Sequence, residues 1–268
     1  METLIYEKVG SFLSTEENIG LIKLHRPDAM NALNDTIIQE LSDLLDEIEK
    51  DDEVRVVVIT ADGEKIFSAG ADLKSMQDLL EGDPEAARPL IEQGQIVYRK
   101  LEEFPKPTIA AINGLALAGG AEMALCCDIR IINEATKMGF PECSLGLLPG
   151  WGGTTRLAKV IGMGRAKEMI LSGGQVSGQE AERIGLVNKA VPYDELESTW
   201  TFMAAKIAGN APIAVQLAKP IISKSLENSS EEGNKLEADA LVACFATEDL
   251  KEGVKAIFEK RAGNFKGK

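Results

Sequence analysis

The sequence predicts a layered α/β fold, on three observations. Strand-like and helix-like segments alternate through residue 192, the pattern of sheets covered by helices. Several strand-like runs are apolar throughout, as expected when both faces of a strand are covered. Beyond residue 193 the strand signals stop and only helical periodicity continues.

The elements follow in order. Residues 4–13 and 19–25 read as two strands around a polar turn at 14–18. Ile37, Leu41, Leu44, Leu45 and Ile48 recur at spacings of 4, 3, 1 and 3, an amphipathic helix with Asn34 or Asp35 as N-cap. Residues 54–60 form a nearly all-apolar strand, and 67–72 a small-residue turn. Residues 73–80 and 86–103 read as helices, the second ended by Pro105 and Pro107. A buried strand at 108–112, a helix at 119–127 and a strand at 129–132 follow. Residues 194–209, 213–226, 231–247 and 249–261 read as four helices. The chain therefore divides into an α/β core, residues 1–192, and a helical region, residues 193–268, with no low-complexity linker between them. A helical tail without an apolar core of its own packs on the core or on a neighbouring subunit.

Composition narrows the function. The 268 residues carry 29 Lys and Arg against 43 Asp and Glu, a net charge of −14. That balance argues against a nucleic-acid partner and against docking on an anionic membrane. A small anionic ligand stays compatible, since a few local cations and backbone N–H groups suffice to bind one. The single histidine, His25, excludes multi-histidine metal sites and would have to carry any Ser-His-Asp or Cys-His machinery alone. Cys126 and Cys127 sit in an apolar run and read as small buried hydrophobes, which fits a reducing compartment. The acidic N-terminus lacks the basic and apolar regions of a secretory signal. The expected location is the cytoplasm, or an organelle matrix if a presequence has been removed.

Residues 109–127 are apolar except for one charge, Glu122. Asn113 and three glycines make them a strand leading into a buried helix rather than a membrane span. A charge in such a run is costly unless it has a purpose. The phosphate-loop, serine-hydrolase and zinc-protease motifs are absent from the sequence, and 162–165 are only a fragment of a dinucleotide fingerprint. Two glycine-rich turns remain, Ser68 to Lys74 and Asn113 to Glu122, each between a strand and a helix. Small residues there let a ligand approach the backbone, and free N–H groups attract negative charge. Side by side, the turns would supply two donors to one developing oxyanion. If the strand at 129–132 runs away and the chain returns through 138–140, Glu142 can reach Glu122. Two close carboxylates in an apolar pocket push their pKa values apart, so one serves as base and the other as acid. On the residues alone, both glutamates also suit a structural role in the first turn of a helix.

These segments resemble the enoyl-CoA hydratase/isomerase (crotonase) family along nearly the whole chain. The resemblance is carried by Arg26 to Leu33, Phe67 to Leu73, Pro107 to Glu122, Met138 to Gly153 and Phe258 to Phe265, in the family's order. It implies a spiral of ββα repeats with a C-terminal helical trimerisation region, assembled as a trimer or a dimer of trimers. It implies an acyl-CoA thioester ligand and no cofactor beyond the CoA that belongs to the substrate. By position, the oxyanion donors are the N–H groups of Ala71 and Gly119. The CoA-binding residues implied are Ala29, Ala69, Ala71, Asp72, Leu73, Lys74 and Gly119, with Lys260 as a cation for the CoA phosphates. Glu122 and Glu142 stand where hydratases of the family carry their two glutamates. The implied reaction is the reversible syn addition of water to a trans-2-enoyl-CoA, giving the 3-hydroxyacyl-CoA. Glu142 would be the main proton-transfer residue and Glu122 the water-orienting partner. An isomerase or acyl-CoA hydrolase on the same scaffold is the alternative, and an RNA-binding homologue the non-enzymatic one. Two departures stand out. Ala118 replaces the first glycine of a usual triple, and Trp151 stands where a small residue is more common, so the pocket rim is expected to differ. Residues 72–89 are expected to wall the acyl pocket, with Met76, Leu79 and Leu80 either facing it or belonging to the core. Linear short-chain and cyclic enoyl groups both stay open.

Overall fold

The computed structural model describes residues 1–11, 14–77 and 82–268. β1 (Leu4–Ser11) and β2 (Ser14–Leu24) form an antiparallel hairpin, followed by α1 (Asp35–Glu49). Then come β3 (Val56–Ala61), β4 (Ile66–Ser68) and α2 (Arg88–Glu102). The next turn of chain is β5 (Thr108–Ile112), β6 (Leu115–Leu117) and α3 (Gly119–Cys126). β7 (Ile129–Asn133) and β8 (Lys137–Gly139) lead through a 3-10 turn, Pro141–Leu145, to α4 (Gly153–Ile161) and α5 (Met163–Ser172). β9 (Gln175–Ser177), α6 (Gly178–Arg183) and β10 (Lys189–Val191) complete the sheets.

The strands sort into two sheets, ordered β1-β2-β3-β5-β7-β10 and β4-β6-β8-β9. Three successive passes, β3-β4-α2, β5-β6-α3 and β7-β8-α4, each give one strand to the larger sheet, one to the smaller, and then a helix, while the first pass, β1-β2-α1, puts both strands in the larger sheet. That is the ββα spiral the family resemblance implies. β3, β5, β7 and β10 run parallel in the larger sheet, with Val57 opposite Thr108 and Ile109 opposite Ile129.

The apolar strands are covered on both faces. Val57, Ile59, Ala110 and Ile112 face the main core, where α1 buries Ile37, Ile38, Leu41, Leu44, Leu45 and Ile48. Each such side chain contributes about 1.5–3 kcal/mol of transfer free energy. Asn34 caps α1, its side chain accepting from the Ile37 N–H at 3.1 Å. Val56, Val58, Ile109 and Ala111 face the other way, against α7 (Tyr193–Ala208) through Leu196, Trp200, Ala204 and Ala208. The first helix after residue 192 thus packs as a lid on the large sheet. α8 (Pro212–Ser223), α9 (Ser230–Phe245) and α10 (Glu248–Glu259) extend from it and bury few of their own residues. Among the described residues, no helix is long and apolar enough to cross a membrane.

Two sequence expectations are corrected. Residues 14–18 are not a turn but the start of β2, with Ser11 already paired to Ser14. Their polarity reflects exposure of Glu16 and Glu17, not a chain reversal. Residues 73–76 do not open a helix; they form turns, with Ser75 N–H donating to Asp72 O and Gln77 N–H to Lys74 O. Asp72 explains this locally, since its Oδ1 takes the Lys74 N–H while Oδ2 is held by Arg26. Leu79 and Leu80 lie outside the described residues.

Candidate active site

The two glycine-rich turns come together because Gly70 lies against Ala118 and Gly119. A Cβ on Gly70 would stand 2.6 Å from the Ala118 Cβ and 3.1 Å from the Gly119 nitrogen, and its φ of +96° also suits glycine. Ala71 forms an isolated parallel bridge with Leu33. That bridge uses Gly70 O and Asp72 N–H, the groups on either side of Ala71. The N–H of Ala71 therefore points away from Leu33. Gly119 opens α3, so its N–H has no carbonyl one turn back. Among the described residues, neither N–H has an acceptor. The two donors stand on adjoining turns and line the same cavity. The Tyr98 hydroxyl donates to Gly119 O at 2.7 Å and anchors the peptide that follows the donor. Ala118, just before it, adopts φ 49°, ψ −127°, a glycine-type conformation that is strained for alanine.

Glu122 lies in the first turn of α3 and is 2% exposed. Its Oε1 accepts from the N–H groups of Trp151 at 2.9 Å and Gly153 at 2.7 Å. Arg156 ties this loop from the other side, donating to Trp151 O at 2.7 Å and to Glu102 at 2.6 Å. Burial pushes the Glu122 carboxyl up to about 7, against the pull of the Gly153 hydrogen bond; the charge of Glu142 raises it further. Glu142 sits in the 3-10 turn after Pro141 and is 7% exposed. Both of its carboxyl oxygens are buried and unpaired. Burial raises its pKa as well; its own backbone N–H pulls the other way, without reaching hydrogen-bond geometry. Both glutamates line one cavity of about 1240 Å³.

The same cavity is lined by Ala29, Ala69, Ala71, Asp72, Leu73, Lys74 and Gly119. Asp72 pairs with Arg26 at 3.0 Å, and Leu73 and Lys74 are exposed. Met76 also faces the cavity. Lys260 is not brought there: it is an exposed residue at the C-terminus of α10. Its end of the chain is tied elsewhere, with Arg55 donating to Phe265 O and Asp249 accepting from Lys266 and Gly267 N–H. Trp151 is not at the rim but 7% exposed, a buried wall. His25 pairs with Asp62 on the surface at 2.8 Å and does not line the cavity. Cys126 and Cys127 are buried thiols in the last turn of α3 and just beyond it. Tyr98, Arg156 and the Trp151 N–H went unnoticed in the sequence. A tyrosine and an arginine on amphipathic helices carry no local sign of what they reach.

A profile of the family described as enoyl-CoA hydratase/isomerase matches residues 14–268. The chain belongs to the enoyl-CoA hydratase/isomerase family. It is 43% identical to the short-chain-enoyl-CoA hydratase of Clostridium acetobutylicum over 93% of this chain and 94% of that one. It is 41% identical to the crotonyl-CoA hydratase of Syntrophomonas wolfei, over 98% and 99% of the two chains. The crystal structure of an enoyl-CoA hydratase from Bacillus anthracis superposes with a TM-score of 0.93 at 38% identity, covering 99% of this chain and all of that one. Within this enoyl-CoA hydratase/isomerase scaffold, the chemistry available is that of two buried carboxyls sharing one cavity with a pair of unpaired N–H donors.

Proposed function

We propose that the chain is a short-chain enoyl-CoA hydratase, adding water reversibly and syn to a trans-2-enoyl-CoA to give the 3-hydroxyacyl-CoA. The thioester carbonyl accepts from Ala71 N–H and Gly119 N–H. These bonds tighten as the oxygen gains enolate charge, a stabilisation made mainly in the transition state. Water sits between Glu122 and Glu142 and attacks Cβ, losing one proton to the carboxylate of the pair, while the other carboxyl delivers its proton to Cα as the C=C π bond breaks. Glu142, with both oxygens unpaired, exchanges protons with the reacting groups; Glu122, held by two N–H groups, orients the water. Burial raises both carboxyls, and the charge of Glu142 raises Glu122 further, so the two titrate as a coupled pair. No cofactor is needed beyond the CoA of the substrate.

The observation that carries this reading is the contrast between a locked and an unpaired buried carboxyl in one cavity. Direct assay of crotonyl-CoA tests it. Loss of the enone absorbance on adding the protein is the expected result, and unchanged absorbance despite CoA-ester binding would exclude it.

The reading includes self-assembly. Ile222, Leu241, Val242, Phe245, Ile257 and Phe258 on α8 to α10 are 60–82% exposed. A second and third copy of the chain would cover them, as a trimer or a dimer of trimers. Light scattering at micromolar concentration is the check, a monomer being the contrary result. A reducing compartment, cytoplasm or organelle matrix, suits the four free cysteines.

A further inference from the structure

Trp151 touches both halves of the site. Its backbone N–H holds Glu122, and its indole fills a slot between α2 and α3 that two glycines leave open. A Cβ on Gly119 would come within 2.8 Å of the indole Cζ3, and one on Gly94 within 2.2 Å of Nε1. The Tyr98 ring meets the indole edge to face, with centroids 5.3 Å apart and planes at 62°. Trp151 lines the cavity, whereas Gly94 and Tyr98 do not. The indole is therefore what separates the cavity from the space in front of Gly94 and Tyr98. Wedged against a helix backbone on each side and a ring behind, it has no room to retreat.

We propose that the Trp151 indole is the specificity-determining wall of the acyl site, stopping the acyl chain close to the reacting carbons and selecting short 2-enoyl groups. This rests on the hydratase reading. A wall of soft side chains would yield to extra methylenes by changing rotamer. A packed indole cannot, and each methylene that fails to fit costs about tenfold or more in kcat/KM. Truncating the indole opens an apolar extension towards Tyr98, of the kind that stays dry and takes up hydrocarbon.

The test compares crotonyl-CoA with trans-2-octenoyl-CoA by kcat/KM, and butyryl-CoA with octanoyl-CoA by calorimetric affinity. Trp151→Ala is expected to raise both long-to-short ratios by at least about tenfold, mainly through KM, with Trp151→Phe in between. A ratio within about twofold of wild type, in a variant with wild-type circular dichroism, overturns the proposal. Should Trp151→Ala fail to fold, Gly94→Ala decides. Its Cβ would thrust the indole into the cavity and lower both ratios, and unchanged ratios overturn the proposal. If the wild type hydrates neither substrate, the hydratase reading falls, while the affinity ratios of the saturated esters still decide the wall.

Discussion

The junction of α3 and α4 and the turn after Pro141 present the same side chain to the same cavity in opposite states. At the junction, Glu122 is gripped by two backbone N–H groups, in a loop that Arg156 ties from outside. In the turn, Glu142 is also buried, though less deeply, and has no hydrogen-bond partner for either oxygen. Burial raises both carboxyls, so the direction of that shift does not separate their roles. Hydrogen bonding does. A carboxylate that already accepts two N–H bonds is held in place and suited to orient a water. An unpaired one is free to take up and release a proton, at the standing cost of an unsatisfied buried group. The roles are divided by what surrounds each residue, not by its type.

Removing the unpaired carboxyl is the most severe way to break this contrast. Glu142→Ala should lower kcat by about 10³-fold, within the range of a lost general acid–base group, with little change in KM. Steady-state hydration of crotonyl-CoA measures it. Disturbing the N–H donors damages both sides equally. Gly70→Ala puts a Cβ where Ala118 stands and should spread the two turns, costing about 10²-fold in kcat. Its pH profile should keep the wild-type shape, because neither carboxyl is touched.

Glu122→Gln sharpens the comparison by splitting activity from stability. Hydration should fall about 10²-fold, while isomerisation or hydrolysis on the same scaffold would be largely spared. Stability should move the other way. The folded Glu122 carboxyl titrates at about 7, above its ordinary value of 4.5, so the folded state binds the proton more tightly than the unfolded chain. Stability is then lost as pH rises from about 4.5 to about 7, and holding the charge above that costs about 3 kcal/mol. Glutamine removes that cost and can still accept both N–H bonds. Its melting temperature should exceed that of wild type at about pH 8 and converge with it at about pH 4, below both pKa values. The smallest effect is expected at Ala118. Ala118→Gly relieves the strained backbone beside Gly119 and should stabilise by about 1 kcal/mol, read as a rise of about 2–4 °C in melting temperature.

Much of this was readable in the sequence where short-range chemistry decides. The periodicity from Ile37 to Ile48 and the Asn34 cap became α1 because a helix needs only its own residues to show one face. The apolar strands became β3 and β5 because a run without polar interruption has to be covered twice. Glu122 was visible as a charge in an apolar run, and Glu142 through the return of the chain along β8. What escaped depends on distant partners. The polar start of β2 pairs because β1 lies beside it, and residues 73–76 form turns because Arg26 and Asp72 hold the chain. Trp151 looked like a rim residue because the slot it fills belongs to Gly94 and Gly119, on two other helices. Lys260 does not line the cavity of its own chain, and the segment after it is tied by Asp249 and Arg55; family position offers it to the CoA phosphates, in some members from a neighbouring subunit.

The division of labour between the two glutamates can be read from one pair of curves, kcat/KM for crotonyl-CoA against pH over about 5 to 9, in wild type and in Glu122→Gln. The wild type should show a limb near pH 7, where the buried Glu122 carboxyl loses its proton, and that limb should vanish or move well away in Glu122→Gln. An unmoved limb in the variant, or hydration at the wild-type rate without the Glu122 carboxyl, would contradict the arrangement described here.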